Sequence, residues 1–304
     1  MAAVPRVTLK IRFILNPRSG HLRCRPGAAD EIRRFIAARQ LDASLALTER
    51  AGHATELATA ALAEGCDCVV AVGGDGTMNE VARALTGTLA ALGLVPCGSG
   101  NGLARHLGVP LKFSAALGNL LTGKARLIDT GVAAGHPFFC AAGVGYEALI
   151  AVRFNQLTRR GFVSYLRTGT VAFFDHASER YRIEFAEGQL DVTAFTLVVA
   201  NCCQYGNNAY IAPGAQLDDA LLNLTAVPRF SLLRSPLMLW RLFRGTLQQS
   251  KQVTMLVGQH FTLHRESAGL LHTDGEVHAA PAVVEFSVRP DSLRVIAPAT
   301  AANR

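Results

Sequence analysis

Residues Gly73 to Glu80 read Gly-Gly-Asp-Gly-Thr-Met-Asn-Glu, and their flanks restrict the fold more than any other stretch of the chain. Ahead of them runs Cys68-Val69-Val70-Ala71-Val72, an apolar strand. Behind them Val81-Ala82-Arg83-Ala84-Leu85 continues as a helix. A buried strand that ends in a glycine turn and opens into a helix is the repeating step of a parallel α/β sheet. The glycines allow close approach of a bulky anion, because no Cβ intervenes. The helix start offers unpaired N–H groups and partial positive charge to that anion. Asp75 does not suit a bare anion cradle, since a carboxylate beside phosphate needs a cation between them. The turn therefore points to a nucleotide–Mg²⁺ site and to phosphoryl transfer.

The rest of the first 130 residues supports the same architecture. Val7 to Leu15 alternates as a strand does, Ala28 to Arg39 carries Ile32, Phe35 and Ile36 at helical spacing, and Ser44 to Leu47 reads as a short strand. His53 to Glu64 is a helix stopped by Gly65. Leu89 to Val95 is a strand closed by Pro96. Beyond about Asp129 strands dominate: Pro137–Ala141, Tyr181–Phe185, Ala194–Ala200, Leu221–Val227, Val253–Val257, Phe261–His264 and Val283–Val288. Helical stretches interrupt them near Tyr146–Ala172 and Leu232–Leu247. The expected fold is an α/β N-terminal domain with a parallel sheet, residues 1–130 joined by about 290–304, followed by an antiparallel β-rich domain over 131–289. Ser292–Ala297 fits a strand of either.

A second glycine loop, Cys97-Gly98-Ser99-Gly100-Asn101-Gly102, also follows a strand and opens a helix. Loops at the carboxyl ends of neighbouring parallel strands can share one site. Asn16-Pro17-Arg18-Ser19-Gly20 ends the first strand and would join them. Gly118-x-x-x-x-Gly123-Lys124 imitates a phosphate loop, but Ala125 replaces the Mg²⁺-binding hydroxyl, so Gly123 reads as a helix cap. Gly143-x-Gly145-x-x-Ala148 imitates a dinucleotide fingerprint without the acidic residue about 20 positions on. Asp274-Gly275 between two strands reads as a hairpin turn. Kinase chemistry also needs a carboxylate to accept the proton of the attacking hydroxyl, and Asp274 qualifies.

In their order these landmarks resemble the diacylglycerol kinase catalytic-domain superfamily, which includes bacterial soluble lipid kinases and sphingosine kinases. The resemblance rests on Asn16-Pro17-x-Ser19-Gly20, Gly73-Gly74-Asp75-Gly76-Thr77-x-Asn79-Glu80, Gly98-Ser99-Gly100-Asn101, Ile128-Asp129-Thr130-Gly131, Ala142 to Ala148, Leu217-Asp218-Asp219 and Asp274-Gly275-Glu276. It implies a nucleotide domain like that of NAD kinase and phosphofructokinase, a C-terminal β-sandwich, and ATP-Mg²⁺ in the cleft between them. It implies that Gly73, Gly74, Asp75, Gly76 and Thr77 take phosphates and metal. Asn16, Gly98, Ser99, Gly100 and Asn101 would line the nucleotide. Asp274 would be the general base and Glu276 a metal or nucleotide partner. A structural Mg²⁺ would sit on Asp219 with backbone oxygens near Gln216 and Leu221. Here Ala220 and Asn223 replace the family's glycine and later acid, and Ala220 adopts positive φ less readily, which counts against that second cation. The implied activity is transfer of the ATP γ-phosphate to a lipid hydroxyl. A kinase of a soluble acceptor such as NAD, or a catalytically silent nucleotide- or membrane-binding regulator, stays open.

Bulk properties bound the partners. The chain of 304 residues carries net charge +7 and is 50% hydrophobic, with pI about 9.3 and mean hydropathy +0.23. No stretch of about 18 apolar residues is present to span a bilayer. The start Met-Ala-Ala-Val-Pro-Arg lacks a secretory h-region, so a cytoplasmic location, peripheral at the inner membrane face, is expected. Seven cysteines without framework spacing read as free thiols. The basic charge, spread without a nucleic-acid-binding signature, favours an anionic membrane surface over nucleic acid. A homodimer is compatible with the sequence. Leu232 to Arg244 mixes apolar bulk, one tryptophan and three arginines, and reads equally as an interfacial segment or a core helix. Tyr146 to Phe174 is a further candidate for a lipid pocket.

Overall fold

The computed structural model describes residues 9–20, 22, 25–155, 176–231 and 233–299. It divides into two units, one of residues 1–127 with 292–304 and one of residues 128–291.

In the first unit, strands β1 (Ile11–Leu15), β2 (Ala43–Leu47), β3 (Cys68–Gly73) and β4 (Ala91–Pro96) alternate with helices α1 (Ala28–Arg39), α2 (His53–Ala63) and α3 (Asp75–Leu85). Helices α4 (Gly102–His106) and α5 (Phe113–Thr122) follow. The strands pair in parallel in the order β2-β1-β3-β4. Every residue of β3 and β4 is buried, as expected where helices cover both faces of a sheet. Phe13, Ile32, Val70, Val72, Val95 and Leu117 belong to one side of this core. Helix α5 ends at Gly123, whose N–H bonds Asn119 O, and the chain goes straight into β5 (Lys124–Ala133). The stretch Gly118–Lys124 is therefore a helix end and not a phosphate loop.

The second unit adds β6 (His136–Phe138), β7 (Ala141–Gly145), α6 (Tyr146–Asn155), β8 (Glu179–Phe185), β9 (Gly188–Ala194), β10 (Thr196–Ala200), β11 (Leu222–Val227) and α7 (Ser235–Arg244). Then come β12 (Thr254–Gly258), β13 (His260–Arg265), β14 (Gly269–Thr273), β15 (Glu276–Ala280) and β16 (Val283–Ala297). One sheet runs β12-β11-β10-β7-β14-β15, all antiparallel. Facing it, β16, β13, β8 and β9 pair antiparallel. Val144, Leu197, Leu224 and Leu271 from the first layer meet Ile183, Phe261, Leu263 and Phe286 from the second in one core. This is a β-sandwich. From Ser292 onward β16 belongs to the first unit, where Arg294 and Val295 pair in parallel with Ala91 and Leu92 of β4.

The structure corrects several element boundaries. Val283–Val288 and Ser292–Ala297 form one continuous strand. The expected strand Pro137–Ala141 is two strands, because Phe139 and Cys140 leave the ladder to point their N–H groups at Asp274. Pro96 lies inside β4, and the helix after the glycine turn begins at Asp75 itself. Strand β9 has no strong sequence signal: its Gly188-Gln189-Leu190-Asp191 start is polar and exposed. The dinucleotide-like Gly143-x-Gly145 lies in β7, which pairs antiparallel on both sides and so cannot belong to a parallel βαβ unit. Of the expected lipid-pocket stretch, 156–174 lies outside the described residues. Cys66, Cys68, Cys97, Cys140 and Cys202 are buried and Cys203 half-buried, each as a thiol outside any disulfide. Burial pushes the Cys97 thiol up to about 12. No helix among the described residues is long and apolar enough to cross a membrane.

Candidate active site

The three loops at the carboxyl ends of β1, β3 and β4 are in contact through their glycines. A Cβ on Gly98 would lie 2.6 Å from Gly74 Cα, and one on Gly20 would lie 2.3 Å from Cys97 O. Neither space admits a side chain. A Cβ on Gly73 would strike the Thr77 side chain at 2.5 Å. These glycines are required by packing between loops as well as by any ligand.

Asp75 fastens the arrangement. It opens α3, and its carboxylate crosses to the second loop, accepting Asn101 N–H at 2.8 Å and Gly102 N–H at 2.9 Å. Burial pushes its carboxyl up, opposed by those two N–H bonds and by Arg105. Asn101, with φ 56, donates Nδ2 to Gly98 O (2.8 Å) and accepts Gly98 N–H on Oδ1 (3.0 Å), so its side chain holds the loop's own backbone. Asn16 donates Nδ2 to Thr77 Oγ1 at 3.1 Å and accepts Arg18 N–H at 3.0 Å. Glu80 accepts Gly52 and Ala54 N–H groups at the start of α2 (3.0 and 2.9 Å), which makes it a helix cap.

Gly76 differs from the other glycines. It is exposed in the first turn of α3, and a Cβ there would meet nothing within 4 Å. Its φ is not positive. Glycine in a helix costs about 1 kcal/mol relative to alanine, and no contact among the described residues accounts for it. Ser99 is likewise exposed. A small pocket at the loops, lined by Gly73, Gly74, Asp75, Met78, Leu94 and Asn101 among others, measures about 10 Å³. That is room for about one water molecule.

In the second unit Asp274 and Gly275 take φ 52 and 86, the left-handed pair of a two-residue hairpin turn joining β14 to β15. The Asp274 carboxylate accepts three backbone N–H bonds. Phe139 donates to Oδ2 at 2.7 Å, and Cys140 and Ala141 donate to Oδ1 at 2.8 and 2.9 Å. Burial pushes this carboxyl up as well, opposed by the three N–H groups and by His272. Glu276 lies exposed at the start of β15, opposite Thr273.

Behind the turn lies a polar cluster that the sequence did not reveal. His272 Nδ1 accepts Gly275 N–H at 3.3 Å, so the ring proton sits on Nε2, which donates to Glu147 Oε2 at 3.0 Å. Tyr205 Oη donates to Glu147 Oε1. A Cβ on Gly143 would lie 3.0 Å from His272 Nε2 and 3.1 Å from Glu147 Oε2. The first glycine of the dinucleotide look-alike is thus the space this pair occupies. The available signal was Glu147 in the same short motif.

The acidic loop is closed by its own hydrogen bonds. Asp129, 2% exposed, accepts Ala220 N–H at 2.7 Å and Asp291 N–H at 2.9 Å. Asp219 accepts Leu221 N–H at 3.0 Å. Ala220 does adopt positive φ, at 58°. Burial pushes the Asp219 carboxyl up. Asn223 buries its Nδ2 without a partner, a donor where a cation would require an oxygen. Among the described residues no three His, Cys, Asp or Glu side chains converge on a metal position. Asn223, where the resemblance implies an acid, supplies no carboxylate to a cation in this loop. At the glycine loops the fit is better: Mg²⁺ is commonly held by one or two carboxylates plus phosphate oxygens, and Asp75 is such a carboxylate.

A parallel α/β unit with interlocked glycine loops, followed by an antiparallel sandwich, defines an NAD kinase-like class of fold. An NAD kinase from Archaeoglobus fulgidus, solved in complex with ATP, superposes with TM-score 0.52 at 11% identity, covering 96% of this chain and 95% of that one. Two structures from Bacillus anthracis lie nearer. One has TM-score 0.82 at 18% identity (99% and 100% coverage) and the other, of a diacylglycerol kinase, 0.74 at 18% (96% and 98%). The diacylglycerol kinase catalytic domain family matches residues 10–133, and the YegS C-terminal NAD kinase beta sandwich-like domain family matches residues 140–297. The chain belongs to this diacylglycerol kinase and YegS-type family. A "Probable lipid kinase YegS-like" of Chromohalobacter salexigens is 34% identical over 194 residues, which span 62% of this chain and 62% of that relative, under two thirds of its length. A diacylglycerol kinase of Mycobacterium tuberculosis is 28% identical over 306 residues, 95% of each chain.

Proposed function

We propose that the chain is an ATP-dependent lipid kinase that transfers the γ-phosphoryl group of ATP to the hydroxyl of a membrane lipid of diacylglycerol or sphingoid type. Gly76 carries the reading: an exposed helical glycine that no contact among the described residues requires leaves the first turn of α3 bare where phosphate would approach. The first-turn N–H groups of α3 have no intrahelical acceptor and receive the phosphate oxygens. Gly74 and Gly98 keep the two loops close, and Asn16 and Ser99 border the nucleotide. Bound Mg²⁺ would neutralise phosphate charge, with Asp75 as its protein carboxylate.

The lipid oxygen bonds to the γ-phosphorus, and the bond from that phosphorus to the β–γ bridging oxygen breaks, releasing ADP. The hydroxyl proton passes to Asp274. Oδ2, which accepts only one N–H bond, is the oxygen with capacity to take it. Burial raises the basicity that the role requires. Glu147 and His272 fix the turn that presents Asp274, and Glu276 assists metal or nucleotide binding. The site of action is the cytoplasmic face of a membrane.

Incubation with γ-³²P-ATP, Mg²⁺ and vesicles carrying a panel of lipid alcohols tests this. Label is expected in an organic-extractable product and lost with Asp274→Asn. The likeness to the NAD kinase fold favours a second reading with a soluble acceptor, and label that stays aqueous in the presence of NAD would select it. ATP binding without turnover on any acceptor would overturn both.

A further inference from the structure

We propose that helix α7, with the turn before it, is the docking surface that seats the protein on an anionic bilayer. Among the described residues, one side of the helix meets a core cluster. Leu242 packs against the cluster of Ala141, Val198, Ala200, Ile211 and Leu247, and its carbonyl accepts Tyr210 N–H at 2.9 Å. No residue of the helix is buried. Away from that side stand large apolar groups in water: Leu233, in the turn before the helix, is 93% exposed, Trp240 53% and Leu237 47%. Such a face costs solubility unless something covers it.

Charge selects the occupant. Arg234, Arg241 and Arg244 border the apolar face, and the Arg244 guanidinium stands 5.5 Å over the Trp240 ring. From Ala220 to Arg265 the sequence has five arginines and one lysine and not a single Asp or Glu. A second copy of the chain would bring like charge to like charge across this surface. A bilayer rich in anionic headgroups supplies apolar depth for Leu233, Leu237 and Trp240 and counter-charge for the arginines together. Tryptophan beside arginine is suited to that boundary, with an apolar ring and a polar edge. The absence of buried helix residues decides between the interfacial and core readings of this segment in favour of the first.

The inference rests on the lipid-kinase reading only for the reason a membrane is visited; the binding itself needs no ATP. Trp240 is the sole tryptophan of the chain, so its emission reports this helix alone. Adding phosphatidylglycerol vesicles to the full chain without nucleotide is expected to shift Trp240 emission to the blue. Acyl-chain-brominated lipid should quench it, and phosphatidylcholine vesicles should leave it unchanged. Leu233→Glu with Leu237→Glu should weaken vesicle binding by at least about tenfold, and Arg234→Glu with Arg244→Glu by about fivefold per arginine at low salt. Both doubles should keep turnover on a micellar short-chain lipid while losing it on vesicles. The proposal is overturned by unquenched emission in the wild type, by equal binding to neutral vesicles, or by a blue shift that follows protein concentration without lipid, which would mean self-association. Binding as expected with no phosphorylated lipid would sink the kinase reading and leave the docking surface standing.

Discussion

The Asp75 turn and the Asp274 turn solve the same problem by different geometry. Each is an Asp-Gly pair after a strand, and each carboxyl is pushed up by burial while backbone N–H groups hold its charge. Asp75 opens a helix and reaches a loop only 26 and 27 residues away. Asp274 tips a hairpin and gathers N–H groups from a segment 133 to 135 residues earlier. The first is a latch between neighbouring loops of one sheet. The second pins a break between two strands that the chain made long before. Both carboxylates are framework, and the two turns differ in how much framework each supports.

Asp274→Asn tests the chemical half of the second turn. It keeps the size of the side chain but removes the proposed proton acceptor and one N–H acceptor, so kcat should fall by about 10³-fold, with loss of the native near-ultraviolet signal ruling out the interpretation. Asp75→Ala breaks the first latch. Two N–H groups lose their acceptor, so stability to urea should fall by about 2 kcal/mol and activity by at least about 100-fold; unchanged urea stability would refute the latch. Glu147→Gln probes the support of the second turn alone. It offers His272 and Tyr205 one acceptor oxygen instead of two, and should lower kcat about tenfold while the KM for ATP stays put. A raised KM for ATP with intact kcat would move Glu147 to the nucleotide. Gly76→Ala sharpens the comparison from the other side. The fold should gain about 0.5–1 kcal/mol while the KM for ATP rises several-fold; the two effects with opposite sign are the signature of a glycine kept for a ligand. The smallest effect is in pH. In the proposed role Asp274 acts ionised, and burial makes it hold its proton to higher pH, so the acid limb of kcat/KM should lie above the ordinary Asp range near about 3.9. A limb at or below that value would show that the N–H bonds outweigh burial.

Much of the first unit was legible because its determinants are local. The switch from period-two to helical pattern across Gly73–Glu80, the second loop at Gly98–Asn101, and the stop at Gly123 each occupy a few consecutive residues. The same holds for the Asp274-Gly275 hairpin, since two left-handed residues in a row strongly favour such a pair. The acidic loop shows the limit of that reasoning. Ala220 disfavours positive φ in isolation, yet Asp129, 91 residues away, holds its N–H and fixes the conformation.

By itself the sequence determined the strand–helix alternation from β1 to β4, the positions of the tight turns, and the long acid-free stretch around Trp240, because each depends on neighbours along the chain. Tertiary structure alone decided what those turns hold: Gly74 against Gly98, Asp75 on Asn101 and Gly102, Asp274 on Phe139 to Ala141, and Gly143 making room for Glu147 and His272. A hydrogen bond or a glycine contact is set by which segments fold side by side, and here those segments lie from about two dozen to more than a hundred residues apart.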